Sequence, residues 1–378
     1  MGGMSAYTIG LMSGTSLDGI DGVLLECRAD HTFKVLAAAS ADFPDALRQA
    51  FLSLNQSGPD ELHRAAVAAQ QLATLYAAVV ARLLQSSGLL AQQVRAIGAH
   101  GQTVRHRPPG PGEPWPYTLQ INQPALLAER SGIAVVADFR SRDIAAGGQG
   151  APLAPAFHQR LFGRAGQSVL VLNLGGIANL TALPASGVVL GLDSGPGNAL
   201  LDLWCQRHSG ARFDRDGAWG ASGREQPDLL AHLLDEPYFH LRGCKSTGRD
   251  LFHADWLAER LLPFPGLPPA DVQATLTRLT ARSIAQAVRA LDWGQSGPPL
   301  QAWVCGGGSL NSNLMRMLAE ELPGAAVQTS AAAGWPAHWI EPAAFAWLAW
   351  QTLEGKTGNL PSVTGALGPR VLGALYPA

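Results

Sequence analysis

The sequence predicts an α/β protein of two domains, on three observations. Short apolar runs ending abruptly in Gly or Asp recur through both halves of the chain, as buried strands do when they deliver a loop. Between them lie segments with apolar residues at steps of three and four, the spacing of one helix face. The chain, 378 residues with 47% hydrophobic, is longer than a single core usually supports and apolar enough to fill two.

In chain order the strand candidates are "YTIGLMSG" from Tyr7, "AIGAHGQ" around Ile97, "IAVVADF" around Val135, "VLVLNLGG" around Leu170, "VVLGLDSG" around Leu190 and "AWVCGGG" around Val304. The clearest helix follows Pro59: Leu62, Ala65, Ala66, Ala69, Leu72, Ala73, Tyr76, Val79, Val80 and Leu83 share one face, and Gly88 stands where it should stop. Further helices are expected from Asp271 to Leu291, Asn311 to Leu322 and Glu341 to Leu353. "RPPGPGEPWP", Arg107 to Pro116, reads as an exposed loop, because strand-like sequence resumes at Tyr117. The domain boundary is expected near Asp138.

One local pattern occurs in both halves. A strand enters Gly10-Leu11-Met12-Ser13-Gly14-Thr15, another enters Asn173-Leu174-Gly175-Gly176-Ile177-Ala178-Asn179, and a second apolar strand follows each. Two domains each carrying a hairpin with a small polar loop would offer two phosphate-friendly loops.

The 27 basic and 29 acidic residues nearly cancel, so no field favours nucleic acid or an anionic membrane; a small-molecule substrate fits better. Cys27, Cys205, Cys244 and Cys305 are scattered singly, which argues against a zinc site or disulfide scaffold and for a reducing, cytoplasmic setting. No signal peptide and no apolar run of roughly 18 residues is evident. No His-x-x-x-His pair falls on an expected helix, and no metal cluster is assigned.

Four stretches could carry chemistry. In "GLMSGTSLDGID" the glycines let backbone N–H groups approach an anion, and Ser13, Thr15 and Ser16 add donors. Asp18 and Asp21 would repel phosphate unless Mg²⁺ lies between; a plain hairpin turn explains the loop about as well. In "GLDSGPGNALLD", Asp193 ends an apolar strand where it can act as a general base, with Asn198 better placed to cap the following helix. "VCGGGSLN" sets Gly306, Gly307 and Gly308 between strand and helix, suited to a nucleoside or to close packing. "RDIAAGGQGAPLAPAFH", Arg142 to His158, reads as a long flexible loop, and His100 and His106 flank "GQTVR" where they could meet a substrate. There is no G-x-G-x-x-G after a strand, and Gly355-Lys356-Thr357 fails as a P-loop because Trp350 stands where its first glycine belongs.

Together these motifs, with "KSTGRD" at Lys245, "AFAWLAW" at Ala344 and "GNLPSVTGALGPRVLGALYP" at Gly358, make a chain that resembles the anhydro-N-acetylmuramic acid kinase family. That family belongs to the sugar kinase, Hsp70 and actin superfamily. The resemblance implies a two-domain, ribonuclease H-like α/β fold with a central cleft. Residues 1–137 and about 366–378 would form the first actin-like domain, and 138–365 the second. It implies ATP and Mg²⁺ as cofactors, and 1,6-anhydro-N-acetylmuramic acid as the substrate, opened by water and phosphorylated at O6 in peptidoglycan recycling. Gly14, Thr15, Ser16, Leu17, Asp18, Gly19, Ile20 and Asp21 would form one phosphate loop, and Gly175, Gly176 and Asn179 its counterpart. Gly306, Gly307 and Gly308 would hold the nucleoside, Asp193 would be the catalytic aspartate, and Glu341 an active-site glutamate. A homodimer is implied too. The chain departs from the family pattern at Asn122, where glycine is expected, and at Ser194, where threonine or cysteine is usual. A kinase for another anhydro sugar such as levoglucosan, or an ATP-driven actin or Hsp70-like module without sugar chemistry, are the competing readings.

Overall fold

The structure, a computed structural model, describes residues 5–14, 17–28, 30, 32–110, 112–185, 187–243, 245–248, 251–294 and 297–378. The strands among them are Ala6–Met12 (β1), Gly19–Cys27 (β2), Phe33–Asp42 (β3), Val94–Ala99 (β4), Gln102–Arg107 (β5), Tyr117–Ile121 (β6), Val135–Ala137 (β7), Val169–Leu174 (β8), Ile177–Leu183 (β9), Leu190–Pro196 (β10), Gln301–Cys305 (β11), Ala326–Thr329 (β12) and Ala374–Tyr376 (β13). Contacts divide the chain into two units: Met1–Leu161 with His338–Ala378, and Phe162–Ala337.

The two sheets share one topology. In the first unit the order is β13-β7-β4-β1-β2-β3, and in the second β10-β9-β8-β11-β12. Each begins with an antiparallel three-strand meander, after which the next two strands run parallel to the first. A parallel neighbour requires a crossover, and helices supply it: Glu61–Ser87 precedes β4, and Pro269–Ala290 precedes β11. This is the ribonuclease H-like arrangement, present twice, so the repeated hairpin seen in the sequence is one part of a repeated sheet.

The first core gathers Ile9, Leu11, Ile20, Leu24, Leu72, Tyr76, Val79, Leu83 and Ile97 between the sheet and the Glu61–Ser87 helix. That helix ends at Gly88, whose left-handed φ of 73° lets its N–H reach the Leu84 carbonyl. It is long and apolar enough to cross a membrane by length and composition. From Ala68 to Leu83 its apolar face is spent on this core, whereas Leu62 and Ala66, expected on the same face, are exposed; its other face carries Glu61, Arg64, Gln70 and Thr74. In the second unit, Leu170, Leu172, Val304, Ile284 and Leu314 form a core around the sheet. A second cluster of Trp204, Leu229, Phe239, Phe252 and Leu279 lies among the helices.

The domain limits differ from the sequence expectation at both ends. Residues 138–161 belong to the first unit, and the chain returns to it at His338 and not near Ala366. The reason is the Ile340–Leu353 helix, which rests on β1, β2 and β4. Phe157 packs on Trp347 of that helix and on Phe33, with ring centroids 5.9 Å and 5.6 Å apart.

Gly10 and Gly98 are register partners on β1 and β4. A methyl at Gly10 would overlap the Pro342 carbonyl oxygen, and one at Gly98 the Phe345 carbonyl oxygen. Gly98→Ala should therefore destabilise the protein by about 1–3 kcal/mol, the range for overpacking. Gly110→Ala, in an open loop, should stay within about 0.5 kcal/mol of wild type. Urea denaturation checks both; equal stabilities would show that the helix does not depend on this groove.

Candidate active site

In the first unit β1 and β2 close as a hairpin with Met12 opposite Asp21. Within its loop the Leu17 N–H donates to the Gly14 carbonyl at 3.2 Å, and Leu17 takes a left-handed φ of 59° with its side chain buried. Ile20 is buried as well, so Leu17 and Ile20 anchor the loop, while Asp18 stays at the surface. Gly19 leaves no room for a side chain against the Ala41 carbonyl. Asp18 is exposed, and Asp21 is half-buried and accepts the Ser40 hydroxyl at 2.7 Å. Thr15 and Ser16 lie outside the described residues.

Ser13 does not supply the donor expected of it. Its hydroxyl is buried and donates to the Gly101 carbonyl at 2.9 Å, while the Gly101 N–H reaches the Tyr76 hydroxyl at 3.2 Å and that hydroxyl meets Ser13 at 3.0 Å. This closed ring of three hydrogen bonds consumes the Ser13 proton. The Gln102 side chain adds a 3.3 Å bond to the Gly14 carbonyl.

Glu341 sits in the first turn of the Ile340–Leu353 helix. Its side chain reaches solvent, yet protein crowds it; lost hydration lifts its pKa above the ordinary range, Arg140 opposes the rise and Asp21 adds to it. Water reaching the carboxylate tempers the effect. Arg140 donates through Nε and Nη2 to His100 Nε2, at 3.1 and 2.9 Å, and through Nη1 to the Gly150 carbonyl at 2.9 Å. Burial lowers the Arg140 pKa to about 10, against the pull of Glu341 and Asp143, so it remains a cation at neutral pH. Burial, and then Arg140, hold His100 at about 3. His100 is therefore a neutral, buried support for Arg140, where the sequence suggested a substrate contact; His106 is exposed and bonds Thr118 at 3.0 Å.

In the second unit Asp193 lies within β10, which continues to Pro196, and not at a strand end. A bulge shifts the register between Asp193 and Gly195, and bulges re-aim side chains. Three donors hold the carboxylate: Asn179 Nδ2 on Oδ1, and the Ser246 hydroxyl and Thr247 N–H on Oδ2, both at 3.0 Å. Desolvation nonetheless dominates and raises its pKa, while these three bonds oppose the rise. The Asp193 carbonyl accepts the Tyr238 hydroxyl at 2.7 Å, and its N–H donates to Lys245 O at 2.9 Å.

The Gly175-Gly176 turn joins β8 to β9, and its carbonyls accept the N–H groups of Gly197, Asn198 and Ala199 at 2.8–3.1 Å. These carbonyls, and not the Asn198 side chain, receive the entry to the Ala199–Ser209 helix; Asn198 Nδ2 instead donates to Leu174 O at 3.1 Å. Gly306 and Gly308 are packed against Leu174, and Gly308 also against Asn198, whereas Gly307 is exposed. A cavity of about 490 Å³ lined by Arg212, Phe213, Asp214, Arg215 and Trp219 lies in the same unit. Next to lining residue Arg215, Asp216 accepts the Ser312 N–H on its side chain at 3.3 Å and the Ser312 hydroxyl on its carbonyl at 3.1 Å, which ties this region to the start of the helix that follows the triple-glycine turn.

Sequence reasoning missed Ser246, Thr247 and Tyr238 as supports of Asp193, although Ser246 and Thr247 fall in the quoted "KSTGRD". It also misjudged the segment after Arg142. Ser141–Ala145 is helical, Ala154–Phe162 is helical, and the loop between them is pinned through buried Asp143.

The sequence pattern of the family described as Anhydro-N-acetylmuramic acid kinase matches residues 6–378. A relative of that name from Variovorax paradoxus (strain S110) is 58% identical over 378 residues, covering 98% of each chain. Another of the same name from Cupriavidus pinatubonensis is 56% identical over 372 residues, again covering 98% of each. Among solved structures, Acidaminococcus fermentans (R)-2-hydroxyglutaryl-CoA dehydratase component A aligns with a TM-score of 0.47 at 14% identity, over 90% of this chain and 96% of that one, a likeness too slight to add to the topology.

The raised Asp193 pKa has a consequence for stability. A carboxyl whose folded pKa lies above its unfolded value favours folding while protonated, and that contribution is lost as pH rises through the folded pKa. The melting temperature of Asp193→Asn, relative to wild type, should therefore increase from about pH 4 to pH 7. A difference that stays flat or falls would mean that the three donors outweigh desolvation.

Proposed function

Because the chain belongs to the anhydro-N-acetylmuramic acid kinase family, we propose that it uses ATP to open the 1,6-anhydro bridge of 1,6-anhydro-N-acetylmuramic acid and phosphorylate O6, a step of peptidoglycan recycling. The observation that carries the reading is the Asp193 carboxylate. Three of its roughly four acceptor positions are taken by Asn179, Ser246 and Thr247, so it is fixed with one lone pair left to accept a proton. Burial makes it more basic than an ordinary aspartate.

O6 of the substrate is bonded to C1 and carries no proton, so the protein has no hydroxyl to deprotonate there. Asp193 instead takes a proton from water as the water oxygen bonds to C1. The C1–O6 bond breaks, and O6 takes the γ-phosphoryl group as the bond to the β-phosphate oxygen breaks, leaving ADP. Glu341, on the sugar side, meets the developing positive charge near C1 as a carboxylate. Arg140 uses three of its five N–H groups on His100 and Gly150, which leaves two for the acid group of the sugar. Lys245 is not available for that role, because its ammonium group donates to the Tyr238 and Phe239 carbonyls at 2.9 and 3.4 Å.

The backbone of Gly14–Asp21 and of Gly175–Gly176 would receive the phosphates, with Gly307 and the cavity beside Phe213 toward the nucleoside. No cluster of three metal-ligating side chains occurs among the described residues, but Mg²⁺ takes only one or two carboxylates beside phosphates and water, and outward-facing Asp18 and Asp21 fit that role. When bound, it would neutralise phosphate charge.

Incubation with Mg-ATP and the anhydro sugar in ¹⁸O-water should give a phosphosugar labelled at C1, and Asp193→Asn should lower turnover by about 10²–10⁴-fold with ATP binding retained. An unlabelled phosphosugar, or full turnover by the variant, would remove Asp193 from the role. Turnover at saturating substrates should also fall on acidification with a midpoint above 3.8, the ordinary aspartate value, since protonated Asp193 cannot accept a proton. A midpoint at or below that value would count against the buried carboxylate as base.

A further inference from the structure

Asp143 is wholly buried and touches none of the groups assigned above to the reacting atoms, yet three segments of the first unit converge on its carboxylate. Oδ1 accepts Asn359 Nδ2 at 2.6 Å and the Thr364 hydroxyl at 2.8 Å, and Oδ2 accepts the Gly150 N–H at 2.8 Å. The Asp143 carbonyl accepts the Gly148 N–H at 2.9 Å, and Gly148 has no space for a side chain because that carboxylate fills it. Two backbone bonds fasten the same surfaces together: Gln149 N–H to Thr364 O at 2.7 Å and Leu367 N–H to Ala146 O at 2.8 Å.

Gly150 faces two ways. Its N–H is held by Asp143, and its carbonyl holds Arg140 Nη1. The far side of the Arg140 guanidinium is held by His100 Nε2, and the His100 ring lies 4.7 Å from that of Phe345 on the helix that begins beside Glu341. A buried acceptor, the two peptide groups that meet at Gly150 and a half-buried cation thus form a chain of charge-assisted hydrogen bonds, the kind strong enough to fix a geometry.

We propose that Asp143 is a positioning residue, which through the backbone of Gly150 fixes the Arg140 guanidinium and so sets the sugar side of the site. This rests on the proposed activity only in that Arg140 is taken to serve the sugar. Asparagine at 143 would keep the shape but turn an N–H₂ group toward N–H or O–H donors, and would remove the negative charge that balances Arg140.

The test is a double-mutant cycle in full-length protein, with Asp143→Asn, Arg140→Ala and the pair, read as kcat/KM for the anhydro sugar and as KM for ATP. Asp143→Asn should lower kcat/KM for the sugar by about 10- to 100-fold, the scale of a misplaced group beside reacting atoms, with KM for ATP within about twofold. In the pair the loss should match that of Arg140→Ala alone, because the two residues act as one unit. Thr364→Val, which removes a donor from the other oxygen and leaves Gly150 alone, should lower the melting temperature without this loss. Multiplying losses, or Asp143→Asn with wild-type kcat/KM in its folded fraction, would reduce Asp143 to a structural group. If Asp143→Asn does not fold, Asp143→Glu, which keeps the charge and moves the carboxylate by one methylene, takes its place in the cycle with the same outcomes. An arginine-labelled ¹⁵N spectrum separates this inference from the activity. The Arg140 Nε–H signal, identified by its loss in Arg140→Ala, should be exchange-protected in wild type and lose protection in Asp143→Asn, even if the sugar proves not to be the substrate. Unchanged protection would overturn the inference.

Discussion

Much of the first unit depends on a helix lying unusually close to a sheet. Gly10 and Gly98 sit side by side on β1 and β4, and the backbone of the Ile340–Leu353 helix occupies the space where their side chains would stand. Glycine weakens a strand interior, so two in register are tolerated only where backbone must approach backbone. That approach brings a late segment of the chain back onto its first strand, which is why the unit closes at His338. It also fixes the helix start, and therefore Glu341, relative to Arg140 and Asp21, the two charges that pull its pKa in opposite directions.

The second unit solves the equivalent problem with a different set of glycines. A side chain at Gly197 would overlap the Gly175 carbonyl, and Gly306 and Gly308 leave space for Leu174 and Asn198. Three loops thereby meet at one end of the sheet: the β8–β9 turn, the start of the Ala199–Ser209 helix and the turn after β11. Since the first two share backbone hydrogen bonds, a displacement of the turn would be felt at Gly197, and through β10 at the bulge that aims Asp193. The loop expected to bind phosphate and the carboxylate expected to take a proton are thus mechanically one object.

What was legible in the sequence follows from what is local. Apolar runs ending in glycine or aspartate gave β1, β4, β7, β8, β10 and β11, the three-and-four spacing gave the Glu61–Ser87 helix with its glycine stop, and the two similar hairpins hinted at the duplication that the sheet orders display; β3, β5, β12 and β13 went unread. Asp193 stood out because its neighbours are small and its strand apolar. The unread features all need a partner far along the chain. Ser13 looks like a free donor until Tyr76 and Gly101 are placed beside it. Ser246 and Thr247 acquire meaning only from a carboxylate more than fifty positions earlier. The glycines after Arg142 suggest flexibility, and only Asn359 and Thr364 reveal that Asp143 holds them still. A glycine by itself does not say whether it serves motion, a ligand or a neighbour's backbone, and at Gly306, Gly307 and Gly308 the packed and the exposed case occur in three consecutive residues.

At the two carboxylates one physical cause meets two kinds of opposition, and each kind suits the task proposed for it. Crowding by protein raises both pKa values, but the opposing forces differ in kind. At Asp193 the opposition is short-ranged and directional: three donors that orient the carboxylate as they stabilise its charge. At Glu341 it is a nearby cation, Arg140, which stabilises charge without fixing a direction, while Asp21 counteracts it. A base must aim a lone pair at one proton, so hydrogen bonds are the fitting support. A group that answers charge developing on a ring needs only to be negative and close, and for that a balance of neighbouring charges is enough. Because the balance at Glu341 depends on where the Arg140 guanidinium lies, its electrostatics are set by whatever holds that guanidinium, which in the proposed reaction would give His100 and the Gly150 backbone a part without either touching the sugar.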